Sequence, residues 1–395
     1  MIDSFRKANG GLFEESEKAD VGTSYQEMAK QGVALMGWAD PFMPDHFLPD
    51  HIKQAWITAI EEDVSTHYTA PVGSSELKQI LADKLKKFNH LDVIPDRNIL
   101  ITPGSDSGLY LAILPFINKG DEVLIPSPSY PNNFTDVEIM GGKVVPVELK
   151  AEDGYQLDLE LMESKITEKT RMIILTHPNN PTTTVFNRKS LEGLRDLALR
   201  YDLILVCDQA FEDYTYENEM ITPASLPGMW ERTLTVFSYS KGAGLSGLRV
   251  GYIVTCDEIM DSLYANAVAV IGATSTTAQR ALLHCYDDTS FMKEFERSFD
   301  ARRKKAYEIF KDEKDVSCLL PESGFLFWLD VSKLGDSSKI VSYLLKRAKV
   351  SVNDGKNYGP GGEGHLRIVL GVYRDDEVVF ELLERIRDAL REYHE

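Results

Sequence analysis

Cysteine is scarce in this 395-residue chain: the four present, Cys207, Cys256, Cys285 and Cys318, stand singly, with no CxxC pair and no histidine at zinc-like spacing. A disulfide framework and a structural metal site are therefore poor explanations of its fold. Long apolar runs are missing too. No stretch reaches the roughly 18 apolar residues of a membrane span, and the opening MIDSFRKANGGLFEESEKAD is polar where a secretory signal needs an apolar run of roughly 7–15 residues. Positive charge is short: 43 Lys plus Arg against 62 Asp plus Glu leave a net charge of −19, and a surface of that sign repels phosphate backbones and anionic lipid. These absences argue against nucleic acid and membrane as partners and predict a cytoplasmic protein in reducing surroundings. The sequon-like Asn133-Phe134-Thr135 is then a chance match.

With no internal repeat and no low-complexity linker, organisation is read from changes in hydrophobic pattern. Seven short apolar runs recur through the middle of the chain: Ile99–Thr102, Val123–Pro126, Val144–Leu149, Met172–Thr176, Leu203–Cys207, Leu234–Phe237 and Val250–Val254. Several are near-continuously apolar, which suits strands buried on both faces of a mainly parallel sheet. Helical stretches lie between many of them; Ser190–Tyr201 places Leu191, Leu194, Leu197 and Ala198 on one face. Beyond about Tyr286 the pattern changes to a charged helix, Phe291–Phe310, a strand-like Gly324–Leu329 and a closing amphipathic helix. That helix carries Val379, Leu383, Ile386, Leu390 and Tyr393 on one face, with Asp375, Asp376 and Glu377 at its start. The expectation is an α/β fold: a large domain with a mainly parallel seven-stranded sheet between helices, and a smaller α+β domain built from the N-terminal segment and the C-terminal third. The boundaries fall at 1–49, 50–285 and 286–395.

Polar and small residues cluster where the apolar runs end: Pro103-Gly104-Ser105-Asp106-Ser107-Gly108, Ser127-Pro128-Ser129-Tyr130-Pro131-Asn132, His177-Pro178-Asn179-Asn180-Pro181-Thr182, Asp208, and Ser238-Tyr239-Ser240-Lys241. In an open parallel sheet these carboxyl ends face one crevice, where such folds bind ligands. Each cluster alone reads equally as a helix cap or a turn. The stretch SYSKGAGLSGLRVGY, Ser238 to Tyr252, is more particular, with a lysine at a strand end in a glycine-rich loop and Arg249 following. Its Gly242-Ala243-Gly244-Leu245-Ser246-Gly247 also satisfies the dinucleotide fingerprint G-x-G-x-x-G, but that fingerprint must open a helix, and here it runs straight into a strand-like segment.

On these residues the chain resembles the fold-type I, pyridoxal-phosphate-dependent aminotransferases of class I/II. The match runs through Ser238, Ser240, Lys241, Gly244, Leu245, Gly247, Arg249 and Gly251, with Asn180-Pro181-Thr182 and Asp208-x-Ala210 upstream and Arg367 in His365-Leu-Arg-Ile-Val downstream. The resemblance implies pyridoxal 5′-phosphate as cofactor and ping-pong amino transfer between an amino acid and a 2-oxo acid through a Schiff base on Lys241. Such a cofactor is an electron sink, deepest when its ring nitrogen keeps a proton, and the resemblance gives Asp208 the place beside that nitrogen. Lys241 is implied to hold the cofactor and then to serve as the base at the substrate Cα. Asn180 matches the residue that bonds the ring hydroxyl oxygen, and Tyr130 matches the stacking aromatic.

Gly104, Ser105, Asp106, Ser238, Ser240 and Arg249 match the phosphate site. Asp106 is expected to act through its backbone or as a helix N-cap, since its carboxylate is unfavourable beside phosphate. Tyr68 resembles a tyrosine that reaches the phosphate of a neighbouring subunit, which implies a homodimer. Arg367 matches the clamp on the substrate α-carboxylate, and Trp38 and Ala39 match the segment that covers the substrate, here bulkier or more apolar than usual. Two other positions depart from the family pattern. Phe211 stands where many members carry a tyrosine, and Thr183 replaces a glycine, which implies a turn without positive φ at that position. No second substrate arginine is identifiable beyond Arg280 and Arg374. A β-lyase acting on C–S bonds shares the same cofactor residues, and a non-catalytic ligand-binding regulator would share the fold.

Overall fold

A computed structural model of the chain describes residues 23–63 and 66–394; the polar N-terminal stretch considered above lies outside them. All seven apolar runs form one sheet. Its strands are β1 (Ile99–Thr102), β2 (Glu122–Ser127), β3 (Lys143–Glu148), β4 (Thr170–Thr176), β5 (Ile204–Asp208), β6 (Thr233–Ser238) and β7 (Gly251–Val254). Their spatial order is β1-β7-β6-β5-β4-β2-β3, and only β7 runs antiparallel to its neighbours. The central strands carry apolar side chains on both faces because both faces are covered. Leu205 packs into a core with Leu191, Leu194 and Leu197, whereas Val206 faces Leu109, Leu111 and Ile113.

Helices flanking this sheet include α1 (Asp50–Glu61), α2 (Ser105–Ile113), α3 (Pro131–Ile139), α4 (Arg188–Arg200) and α5 (Asp257–Val270). Helix α4 has the amphipathic face read from its sequence, and Asn187 caps it by accepting from Ser190 N. Two more belong to the smaller unit: α6 (Ser290–Phe310) and α7 (Asp376–Glu392). In α7, Val379, Leu383, Ile386 and Leu390 are buried, and the Asp375 side chain caps the first turn by accepting from Glu377 N.

The smaller unit carries a four-stranded sheet of β8 (Ser317–Cys318), β9 (Leu326–Asp330), β10 (Asn353–Asp354) and β11 (His365–Val369), ordered β10-β11-β9-β8. The N-terminal segment joins it: Ala34–Leu35 pairs in parallel with Val350–Ser351, Val369 N donates to Met36 O, and Phe42 N donates to Gly371 O. Arg302 of α6 is wholly buried and fastens the chain after β11, donating to the carbonyls of Leu370, Val372, Tyr373 and Arg374 and to Asp376 Oδ1 at 2.6 Å. One guanidinium thus satisfies four backbone carbonyls and a carboxylate oxygen with its five N–H groups. The same residue lies near the Phe42 ring, so the segment 36–42 and the strand bearing Arg367 share an anchor.

One sequence expectation is corrected here. Thr183 has φ of +66°, so the turn does need the left-handed conformation that a glycine would take without strain. Remote partners hold it there: Thr183 N donates to Asn179 O, Ser323 Oγ donates to Thr183 O at 2.7 Å, and Glu322 N donates to Thr183 Oγ1 at 3.3 Å. Among the described residues, no helix is long and apolar enough to cross a membrane, and no group of three or more His, Cys, Asp or Glu is arranged to hold a metal ion.

Candidate active site

The carboxyl ends of β1, β2, β4, β5 and β6 deliver the clusters read from the sequence to one crevice, and the segment 37–41 and strand β11 close it from the smaller unit. Lys241 stands three residues past β6. Its Nζ donates to the Ala39 carbonyl, and the Phe211 ring lies 6.0 Å away. Burial, and then the neighbouring Arg367 charge, pull the Lys241 amine down to about 8, because an enclosed ammonium loses its hydration. The lysine loop is braced from behind: Tyr214 Oη donates to Gly242 O, and Gly242 leaves no room for a side chain, since a Cβ there would lie 1.8 Å from Asp213 Oδ2.

Asp208 ends β5 and is 4% exposed. Its Oδ1 accepts from Ala210 N at 3.0 Å. Burial, assisted by the Asp106 charge and opposed by Ala210 N–H and Lys241, pushes its carboxyl up to about 7. Such a group favours a cationic N–H donor beside it, because pairing offsets its desolvation.

Tyr130 sits immediately before the proline that opens α3, and Pro131 confines it to extended backbone. Tyr130 Oη donates to Asp106 Oδ1 at 2.9 Å. Burial, and then Asp106, raise the Tyr130 phenol well above its ordinary range. This geometry corrects the N-cap expectation for Asp106: Gly104 holds the N-cap position of α2 and Asp106 lies in the first turn. The Asp106 carboxylate instead accepts from Tyr130 and Asn132 and lies 3.7 Å from Arg249 Nη2.

Around the start of α2 the backbone is packed too tightly for side chains. A Cβ on Gly104 would lie 2.5 Å from Arg249 Nη2, and one on Gly251 would lie 2.8 Å from Gly104 C and Ser105 N. Arg249 itself has φ of +51° and donates from Nη1 to Ser246 O at 3.1 Å. Ser238 accepts from Ser240 N at 3.0 Å, which sets the turn into the lysine loop. A helix N-terminus, a guanidinium and two hydroxyls therefore converge, the chemistry of an anion cradle.

Arg367 is 6% exposed. It donates to the Asn180 side-chain oxygen at 3.2 Å and to the Gly37 carbonyl at 3.1 Å, and the Tyr358 ring covers its face at 4.9 Å. Trp38 and Ala39 are half-buried in the same strap, and Ser246 Oγ donates to Asp40 Oδ1 at its end. Tyr68 is the outlier, 95% exposed. Arg280 and Arg374 pair instead with Glu76 and Glu294 at 4.0 and 3.6 Å.

Asn353, Tyr358, Asp40 and Tyr214 were missed from sequence. The glycines between Asn353 and Arg367 do signal a tight return of the chain, from which the pairing of those two residues could have been read.

The residues present fit pyridoxal 5′-phosphate: a cradle for its phosphate, a buried carboxylate short of a cationic partner for its ring nitrogen, and an amine with a lowered proton affinity for its aldehyde. Residues 40–386 match the family described as aminotransferase class I and II. The chain is 32% identical over 357 residues to an aspartate aminotransferase of Pyrococcus abyssi, covering 88% of this chain and 90% of that one. It is 31% identical over 370 residues to aromatic-amino-acid aminotransferase 2 of Thermococcus litoralis, covering 92% of each. Its fold superimposes on Thermus thermophilus aspartate aminotransferase with maleate at a TM-score of 0.87 and 28% identity, over 98% and 99% of the two chains.

The lowered Lys241 proton affinity has a direct consequence. On protein freed of bound aldehydes, reductive methylation at Lys241 should rise through pH about 8, whereas exposed lysines respond nearer their ordinary pKa of about 10.4. Peptide mapping across pH measures this; a Lys241 profile that coincides with the exposed lysines contradicts the burial effect.

Proposed function

The chain belongs to the class I and II aminotransferases, and from that premise we propose the residue roles by which it moves an amino group from an amino acid to a 2-oxo acid using pyridoxal 5′-phosphate. When bound, the cofactor supplies an aldehyde carbon for amine exchange and a conjugated ring that takes up the electron pair released at the substrate Cα. The remaining work falls to this chain. The observation that carries the reading is a half-buried lysine with a lowered proton affinity, Lys241, sharing one crevice with a buried carboxylate, Asp208, and a buried guanidinium, Arg367.

Lys241 would hold the cofactor through its amine and would serve as the base that takes the proton from the substrate Cα. An amine pulled down to about 8 suits this, since it is available unprotonated near neutral pH. Asp208 would keep a proton on the cofactor's ring nitrogen by pairing its carboxylate with that N–H. Asn180 bonds the ring hydroxyl oxygen while also accepting from Arg367, so the cofactor contact and the substrate contact share one amide. Tyr130 covers the ring. Gly104, Ser105, Asp106 and their helix start receive the phosphate together with Ser238, Ser240 and Arg249.

Arg367 takes the α-carboxylate, and the strap bearing Trp38 and Ala39 closes over it and keeps water from the reacting carbon. Trp38, Tyr130 and Phe211 favour an apolar or aromatic side chain in the donor, in keeping with the aromatic-amino-acid relative.

Tyr68 completes the site from a second copy. Its exposure has company: Ile57 and Ile60 of α1 and Tyr264, Val268 and Val270 of α5 are also exposed. The chain segments beside them are tied together, Thr276 Oγ1 donating to His67 O and Thr69 Oγ1 to Thr274 O. Exposed apolar side chains in this number are expected to be covered, and pairing two copies through them would bring each Tyr68 to the other's crevice. The numbered boundaries at 49 and 285 fit the same division of labour, one unit holding the cofactor and the other closing on the substrate.

Purified protein should show a visible cofactor band that bleaches on adding an amino donor and returns with 2-oxoglutarate; Lys241→Ala should abolish band and turnover. A panel of aromatic, aliphatic and acidic donors should favour the aromatic ones. Pyruvate and ammonia released without any oxo-acid acceptor would instead indicate the lyase outcome. For the assembly, Ile60→Glu combined with Val270→Glu should halve the mass measured by sedimentation and remove turnover, whereas a wild-type protein that sediments as a monomer and is fully active contradicts the shared site.

A further inference from the structure

Among the described residues, every hydrogen bond from the buried Arg367 guanidinium goes to a neutral oxygen. Nε and Nη2 both donate to Asn353 Oδ1, at 3.1 and 2.7 Å; Nη1 donates to Asn180 Oδ1, and Nη2 also reaches the Gly37 carbonyl. A guanidinium has five N–H groups along two edges, each edge able to take a bidentate partner. Asn353 occupies the Nε/Nη2 edge. Since every N–H on that edge is a donor, the asparagine must turn its oxygen toward it.

The fold makes this pairing. Asn353 and Arg367 lie directly opposite each other on antiparallel β10 and β11, so their side chains leave the same face as neighbours. Trp328 lies opposite Arg367 on the other flank, and the Tyr358 ring covers the guanidinium face. Edge and face are thus both fixed, and the Nη1/Nη2 edge is the one directed at Asn180 and the strap.

We propose that Asn353 is a positioning residue for carboxylate binding by this enzyme. Its amide oxygen locks the guanidinium so that the Nη1/Nη2 edge faces the substrate, and its neutrality leaves the full positive charge for the incoming carboxylate. An aspartate at this place would satisfy the same two N–H groups equally well but would neutralise the clamp before substrate arrived. Asn353 therefore separates two demands that a buried arginine usually meets with one acid, satisfaction of its donors and balance of its charge. The inference rests on reading Arg367 as the α-carboxylate clamp.

The test uses holoenzyme and propanoate, which carries the carboxylate and little else, titrated at constant ionic strength and followed by the shift of the visible band. Asn353→Ala should weaken propanoate about tenfold through lost orientation. The near-isosteric Asn353→Asp should weaken it further, although it restores both hydrogen bonds. Cofactor affinity and thermal midpoint should stay close to wild type in the aspartate variant; a merely structural role for Asn353, which the restored hydrogen bonds would fulfil, predicts unchanged propanoate affinity as well. Wild-type affinity in Asn353→Asp, with binding lost in Arg367→Lys, overturns the inference and leaves the clamp standing. Undiminished binding in Arg367→Lys, or no binding to wild type, overturns the clamp reading and the inference with it.

Discussion

The half-buried Lys241 donates a hydrogen bond from its amine to the Ala39 carbonyl and lies 6.0 Å from the Phe211 ring. Drawing an ammonium away from water is costly, and the surrounding structure is arranged around that cost. The amine yields its proton more readily than an exposed lysine would, and the neighbouring Arg367 charge adds to the effect. Asp208 is in the mirror-image position, an acid that holds its proton too strongly because it is buried. Two groups whose proton affinities are displaced toward each other, near neutral pH and in one crevice, are a common mark of a functional site.

The parallel sheet makes that crevice unavoidable. Strands buried on both faces can place polar groups only at their ends, and parallel neighbours end on the same side. Asp208 is the last residue of β5, Lys241 follows β6, and Asn180 follows β4. Each was therefore legible in the sequence as a polar interruption of an apolar run, and the strands themselves were found to within a residue or two of their ends. The glycines there were legible too, and packing explains them: a side chain on Gly104 would run into the Arg249 guanidinium, and one on Gly251 into the backbone of Phe237, Gly104 and Ser105.

What could not be read depends on contacts between distant segments. Thr183 adopts a left-handed conformation because Glu322 and Ser323, far along the chain, hold it. Nothing in its own neighbourhood says so. Asp106 was expected to act through its backbone or as a helix N-cap because its carboxylate is unfavourable beside phosphate, yet Gly104 holds the N-cap and the carboxylate accepts from Tyr130, which arrives from the next strand end. Asn353 was overlooked because its meaning lies in the register of two short strands, and register is set by tertiary packing more than by local pattern.

The net charge of −19 describes the surface. Within it, the buried Arg367, the half-buried Lys241 and the exposed Arg249 bring positive charge to one crevice, so an acidic surface and a locally cationic site coexist. The central claim is that one of these cations, Lys241, carries the cofactor. Borohydride reduction of the protein as isolated, followed by peptide mass mapping, tests it most directly. The account predicts a cofactor-derived mass increment on the peptide containing Lys241 and on no other; an increment on a different lysine, or none at all on protein that turns over amino acids, would contradict it.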